Sequence, residues 1–345
     1  MKTSRVVLVG IGNIGRGCLQ ILADKGPWLE AHHGIRVEMV AAVDSSGAAL
    51  NQDGLDPLEI LRIKNSKQGI ARYERYGQAG LTALQTLSLA EADLLVELSP
   101  TSLKHGEPGL SAIAWALEHG MDVVTANKGP LVLAYPRLTG LAASSGRQLL
   151  FSGAVAGGLP TVNIGRRDLI AARIQRVEGI FNTTTNYILC RMAESGLSFD
   201  EALCEAQQAG VAEADPTLDI DGWDATNKLI IVANSVLGMP ATLKDVAVQG
   251  IRGITREQLL AATAQGKAIK LLATAEPDGK RYKLAVRPTE LSLDHPLAQL
   301  TRWQMGVVYT SDINGTIIAV IEEEGTLATA GAVVRDVVNV ILSRR

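Results

Sequence analysis

The sequence predicts an α/β chain, with a doubly wound parallel sheet in its first half and an α+β arrangement in its second. Two observations carry that reading. Over the first 150 residues, short apolar runs alternate with amphipathic stretches of helical spacing; beyond Gly153, helical stretches come first and strand-like runs later. The strands expected in the first half are 6–9, 37–43, 94–98, 122–125 and 148–151, rich in Val and Leu and bounded by Gly, Ser or Asn. Between them, 14–23, 110–118 and 135–144 have helical spacing. In the second half, 185–194, 200–208 and 223–237 read as helices, the middle one with Ser198 before it and Gly210 after it as cap signals. Strands follow at 282–287, 306–311 and 316–322, the last two joined by Asn314-Gly315, whose residues tolerate positive φ in a hairpin. An apolar-periodic helix over 327–342 closes the chain.

The chain has 345 residues, enough for two or three domains with a buried core. Hydrophobic residues at 47% and charged residues at 20% exclude a disordered chain. A net charge of −3 gives no electrostatic reason to bind nucleic acid or an acidic membrane, and 4% aromatic content offers no stacking platform. Cys18, Cys190 and Cys204 are scattered, with no Cys-x-x-Cys, which fits a reducing cytosol better than a disulfide framework. The basic-then-apolar start runs straight into a glycine turn and reads as a strand, not a signal peptide. No apolar stretch is long enough for a bilayer, so a cytoplasmic protein is expected.

Gly10-x-Gly12-x-x-Gly15 follows a strand and opens a helix, a context that favours a dinucleotide-binding turn over an ordinary Gly-rich strand-to-helix turn. Gly10 permits the tight turn, Gly12 lets the backbone approach a pyrophosphate, and Gly15 lets the helix sit close to the strand. This makes the first half a Rossmann-type NAD(P)-binding domain over 1–150 and leaves 151–325 for substrate. Asp44 ends the second strand, where an acid can accept from the ribose hydroxyls of NAD or merely cap the turn. Ser45 and Ser46 follow it, without an Arg, which leans towards NAD; Arg62, Lys64 or Lys67 folding back onto a 2′-phosphate keeps NADP open.

Two further stretches are dense in polar residues. Thr125-Ala-Asn-Lys128-Gly-Pro sits just past a strand, at the sheet edge where ligands bind in such folds; Lys128 there is either a proton-transfer or carboxylate-binding group, or a solvated loop lysine. The second stretch holds Glu213, Asp215, Asp219, Asp221, Asp224 and Lys228. Asp224 and Lys228 are four apart on an expected helix and share a face, as an acid–base pair or as a surface ion pair. A divalent metal on these acids is the weaker reading, since the spacing is not that of an EF-hand and no His is near. None of the cysteines has a nucleophile motif, and the five histidines read as surface residues.

Taken together, these stretches resemble homoserine dehydrogenases. The glycine turn, Asp44-Ser-Ser-Gly47 and Ser99-Pro-Thr101 look like the family's cofactor-side segments. Glu107-Pro-Gly109-Leu, Val123-Val-Thr-Ala-Asn-Lys128-Gly-Pro-Leu, Thr184-Thr-Asn186-Tyr-Ile-Leu189, Ala212-Glu213-Ala-Asp215-Pro and Asp219-Ile-x-Gly222-x-Asp224-Ala-x-x-Lys228 are similar to family sequence, in family order. The resemblance implies reversible reduction of L-aspartate 4-semialdehyde to L-homoserine by NADH or NADPH, a step of threonine and methionine biosynthesis. It implies Lys228 as proton donor, with Lys128 as second candidate or partner, and Glu213, Asp219 and Asp224 as substrate contacts. Gly10, Gly12, Asn13, Ile14, Gly15, Asp44, Ser45, Ser99, Thr101 and Lys128 are the implied cofactor contacts. A monovalent cation, usually sodium, would sit on the backbone carbonyls of Ser152, Val155, Gly157 and Leu159.

The resemblance also implies a homodimer formed through sheet-bearing segments, and a C-terminal helix, 326–345, that returns to the first domain. The chain departs from the family at Phe181-Asn182-Thr183-Thr184, where a usual Gly is replaced, at Ser152, where an acid is common, and at Glu322-Glu-Glu-Gly325, whose acids add to the lean towards NAD. It stops soon after the last helix, so the threonine-sensing module of many relatives is not expected. The alternatives are a related dehydrogenase acting on another amino-acid-like substrate, and a cofactor-binding protein without catalysis.

Overall fold

The structure is a computed structural model that describes residues 1–344. It contains two compact units, Met1–Gly158 together with the chain from Thr326 onward, and Leu159–Gly325.

The first unit runs β1 (Lys2–Val9), α1 (Asn13–His33), β2 (Ile35–Asp44), β3 (Gly47–Leu50), α2 (Pro57–Asn65), β4 (Gly77–Ala79), α3 (Ala83–Leu89), β5 (Leu94–Glu97), α4 (Gly109–Glu118), β6 (Asp122–Thr125), α5 (Lys128–Ser145) and β7 (Leu149–Leu150). Its sheet has the order β4-β3-β2-β1-β5-β6-β7. The five strands β2, β1, β5, β6 and β7 are parallel, and β3 and β4 add an antiparallel edge. That edge escapes the sequence reading because Gly47-Ala-Ala-Leu50 has no β-branched or aromatic side chain to mark a strand. The chain leaves β1 towards β2 and returns on the other side at β5, so the carboxyl ends of β1 and β5 part at a switch point, where α/β sheets bind ligands.

Helix α1 extends ten residues past the expected end at 23, through Gly26 and Pro27, which interrupt its apolar period, to a left-handed cap at Gly34. The last helix, α12 (Leu327–Ser343), belongs to this unit: its Ala330, Val333, Val334, Val337, Val340 and Ile341 share one core with Val6 and Leu8 of β1 and Leu19 of α1. Two polar anchors fix it. The Asp336 carboxylate accepts from Ser152 N at 2.8 Å and Oγ at 2.6 Å, and Arg344 reaches Asp122 at 2.8 Å.

The second unit contains α6 (Thr161–Asn163), β8 (Ile174–Ile180), α7 (Thr183–Ser195), α8 (Phe199–Gln208), α9 (Thr217–Ile220), α10 (Trp223–Ser235), β9 (Val246–Val248), α11 (Arg256–Ala264), β10 (Lys267–Asp278), β11 (Arg281–Ser292), β12 (Gln304–Ser311) and β13 (Gly315–Glu322). Its sheet, β13-β12-β8-β10-β11-β9, is antiparallel except for the β11–β9 pair. Strands β8 and β10 are absent from the sequence reading. Ile-Gln-Arg-Val-Glu-Gly-Ile carries charges, and β10 is rich in Ala, Leu and Lys, which favour helix by propensity; cross-strand pairing overrides both. The hairpin at Asn314-Gly315 has a three-residue turn, 312–314, and positive φ is taken by Gly315, the first residue of β13, at +67°, and not by Asn314. No helix among the described residues is long and apolar enough to cross a membrane.

Replacing Asp336 by Ala leaves the Ser152 N–H buried without its acceptor. We expect a loss of about 2–4 kcal/mol, read as a lower urea midpoint with unchanged slope.

Candidate active site

Gly10 directly follows β1 at the switch point with φ +95°, and a Cβ on it would lie 2.3 Å from the carbonyl carbon and oxygen of Leu98, just past β5. That approach makes Gly10 obligatory and sets the turn. Gly12 is the opposite case: a Cβ there meets nothing within 4 Å, so the loop faces open space. Gly12 is also the N-cap of α1 and supplies no side-chain cap, leaving the first amides of the helix, from Asn13 and Ile14 onward, to a ligand or water. Gly15 packs on the turn, where a Cβ would be 2.3 Å from Gly10 O. An open cradle of amides at a helix start fits a pyrophosphate.

At the end of β2, the Asp44 carboxylate is already engaged. Oδ1 accepts from Ser46 N at 2.8 Å and Ser46 Oγ at 2.6 Å; Oδ2 accepts from Ile70 N at 3.0 Å and pairs with Lys64 Nζ. Burial pushes this carboxyl up, but Lys64, Ser46 and Ile70 together hold it below the usual range. Ser45 lies in the turn that follows.

Ser99 is buried beside β5 and donates through N, at 2.8 Å, and through Oγ to Glu97 Oε1. Glu97 is wholly buried. Thr125 Oγ1 donates to its Oε2 at 3.1 Å, and Asn127 adds a further hydrogen bond. Burial pushes the Glu97 carboxyl up against these donors. Asn127 then caps α5, accepting from Gly129 N at 3.1 Å, and Lys128 is the first residue of that helix. Thr101 lies exposed past Ser99. The role of Glu97 is missing from the sequence reading; its only signal was an acid at the end of an apolar strand.

The second unit brings Asp219, Asp224 and Lys228 together around Asn182. Asn182 caps α7, its Oδ1 accepting from Thr185 N at 2.9 Å, while its Nδ2 donates to Asp219 Oδ1 at 2.7 Å and Asp224 Oδ2 at 2.9 Å. Lys228, one turn along α10 from Asp224, pairs with Asp224 Oδ2 at 2.7 Å and donates to Phe181 O at 2.5 Å. Burial, then the Asp224 charge, pushes the Asp219 carboxyl up against Thr184, Lys228 and Asn182. An ammonium with two acceptors has one N–H left to donate. In the sequence Asn182 stands out only as a departure from the family, although an Asn directly before a helix is a cap signal.

Glu213 is not part of this cluster. It is exposed in the loop before α9, and among the described residues no hydrogen bond or ion pair joins its carboxylate to the others. Ser152, Val155 and Gly157 belong to the first unit and Leu159 to the second. The carbonyls of Ser152 and Leu159 accept from Val155 N and Thr161 N, which leaves one lone pair on each. Ala156 and Gly157 turn the chain with φ of +56° and +59°.

Two family models cover the chain: "Homoserine dehydrogenase, NAD binding domain" matches residues 10–152 and "Homoserine dehydrogenase" matches residues 144–338. A homoserine dehydrogenase of Methanocaldococcus jannaschii is 36% identical over 340 residues, 99% of each chain. An NAD(+)-dependent homoserine dehydrogenase of Pseudomonas canavaninivorans is 33% identical over 99% of this chain and 97% of its own. A hyperthermophilic archaeal homoserine dehydrogenase solved in complex with NADPH superposes with a TM-score of 0.85 at 26% identity, covering 99% of both chains.

The two glycines separate folding from ligand binding. Gly10→Ala is expected to lose about 2–4 kcal/mol in thermal or urea unfolding, because the clash is with backbone. Gly12→Ala should change stability by under about 1 kcal/mol yet weaken dinucleotide binding at least tenfold in a fluorescence titration.

Proposed function

This chain belongs to the homoserine dehydrogenase family, and from that premise we propose that Lys228 is its proton donor. The enzyme is an oxidoreductase that interconverts L-aspartate 4-semialdehyde and L-homoserine with NAD or NADP. The observation that carries the assignment is the largely buried Lys228 ammonium, held by Asp224 and Phe181 O with one N–H to spare.

The glycine turn with Asn13 and Ile14, and Ser45, Ser99 and Thr101 on the neighbouring loops, would hold the dinucleotide, which supplies or takes up the hydride when bound. Aldehyde reduction builds negative charge on the carbonyl oxygen, and Lys228 neutralises that charge and delivers a proton to the same atom. Asp224 and Phe181 O fix the ammonium so that it spends no rotamer freedom at that moment. In the direction of oxidation the lysine takes the hydroxyl proton back. Asp219 would hold the substrate α-ammonium, with Glu213 a second carboxylate reaching it from the exposed loop, and Asp224 would orient the hydroxyl through Lys228. Lys128, at the start of α5, is the partner candidate on the cofactor side.

Three further assignments stand as proposals. The remaining lone pairs of the 152, 155, 157 and 159 carbonyls would take a monovalent cation such as sodium. A homodimer is favoured by the edge strand β13, where Ile318 and Val320 are about half exposed on one face. Three free cysteines suit the cytoplasm.

The test is a spectrophotometric assay with L-homoserine, using NAD and NADP separately. Lys228→Ala should lower kcat by roughly 10²–10⁴ with the fold intact by circular dichroism, and full turnover would exclude Lys228 as the donor. Asp219 titrates above the ordinary carboxylate range because of burial and the Asp224 charge. Protonation removes its hold on the substrate ammonium, so kcat/KM should fall on the acid side at a higher pH than an ordinary carboxylate gives. Asp219→Asn should flatten that limb.

A further inference from the structure

Two side chains of the second unit stand outside the reaction. Lys270 on β10 is 4% exposed, and its Nζ lies 2.7 Å from Leu300 O, 2.9 Å from Asn186 Oδ1 and 3.1 Å from Cys190 Sγ. Among the described residues no carboxylate stands within ion-pair distance of it, an arrangement rare for a buried lysine. Cys190 lies on α7, one turn beyond Asn186, and its Sγ is also 3.5 Å from Leu300 O. An amine nitrogen and a thiol sulfur thus meet in one knot of neutral acceptors.

The pair is buried but not sealed. Cys190 and Lys270 help line a cleft of about 210 Å³, with Glu194, Gln299 and Thr301 around it. That volume admits several waters or a small peroxide. The other thiols are built differently. Burial pushes Cys18 up to about 12, as suits an inert core residue, and Cys204 is exposed with a glutamine, Gln208, at 3.4 Å.

We propose that Cys190 and Lys270 form an oxidant-sensitive crosslinking site, in which a hydroperoxide oxidises the thiol and the lysine amine captures it as a sulfenamide. In the first step the Cys190 sulfur attacks the peroxide: an S–O bond forms, the O–O bond breaks, and the leaving oxygen departs as water with the thiol proton. Sulfur is oxidised by two electrons and the peroxide is reduced. In the second step the neutral Lys270 amine, its extra proton passed to water in the cleft, attacks sulfur. An S–N bond forms, the S–O bond breaks, and the hydroxyl leaves as water with one amine proton. One thiol, one amine and one hydrogen peroxide become one S–N bond and two waters. Two external thiols reverse it, returning Cys190 and Lys270 and leaving a disulfide between themselves. The bond would tie α7 to β10, and α7 is the helix whose cap, Asn182, holds Asp219 and Asp224.

The test uses the full chain carrying Cys204→Ser, to remove the exposed thiol. The protein is treated with hydrogen peroxide, blocked with N-ethylmaleimide, digested with trypsin without reductant and mapped by mass spectrometry. We expect a linked pair of peptides two hydrogens lighter than their sum, no cleavage at Lys270, and restoration of both peptides by dithiothreitol. The pair should be missing from Lys270→Arg; should that variant fail to fold, the digest of the parent decides alone. Recovery of Cys190 as the blocked thiol or as sulfinic acid, with normal cleavage at Lys270, would overturn the proposal. A linked pair carrying an extra oxygen would overturn the direct S–N bond.

Discussion

The Asn182 amide donates to Asp219 and Asp224 at once, and the chemistry of the second unit hangs on that pair of bonds. Two carboxylates brought together in a buried place repel by about 4 kcal/mol at 4 Å and an effective dielectric of 20. The amide places a positive edge between them, and Lys228 adds a full charge on the Asp224 side. Removing Asn182 would leave two acids with one cation, and Asp219, already pushed up, would take a proton first. The cap also starts α7, so one side chain positions a helix and balances the charges of two acids.

The first unit solves a similar problem with a carboxylate in place of the amide. Glu97 gathers Ser99, Thr125 and Asn127 onto its two oxygens, so the chain leaving β5 and the chain leaving β6 are ordered by one buried group. Gly10 touches the same region from the β1 side, its missing Cβ allowing the backbone to lie against Leu98. The switch point is therefore fixed by two different means: a steric one that tolerates no side chain, and a polar one that needs every donor.

How much of this could be read from the sequence follows from what a sequence encodes locally. Periodicity located β6 to the residue and the other Val-rich strands to within a few, and the glycine turn announced the start of α1. Strands β3, β8 and β10 were illegible because their residues favour other states alone and pair only when neighbours arrive. Among the site residues, Asp224 and Lys228 were legible as a pair four apart on one helix. Asn182 was not, since its two acids lie 37 and 42 residues away. Glu213 shows the converse: adjacency in a polar run grouped it with Asp219 and Asp224, yet the loop leaves its carboxylate in solvent.

Asp44 is a site already filled by the protein itself. An acid at the end of the second strand reads as an acceptor for ribose hydroxyls, but here its four acceptor positions are filled by Ser46, Ile70 and Lys64. A plain ribose gains a hydrogen bond to Asp44 only by displacing one of these donors, and a 2′-phosphate gains Lys64 only by taking it from Asp44. Either gain is an exchange against a contact already made, so it is smaller than a contact count suggests. With the ribose at the end of β2, the contrast between NAD and NADP there would be a difference between two exchanged contacts that share one ion pair. Lys64, twenty positions downstream, would bear on that contrast as much as the aspartate that the sequence pattern points to.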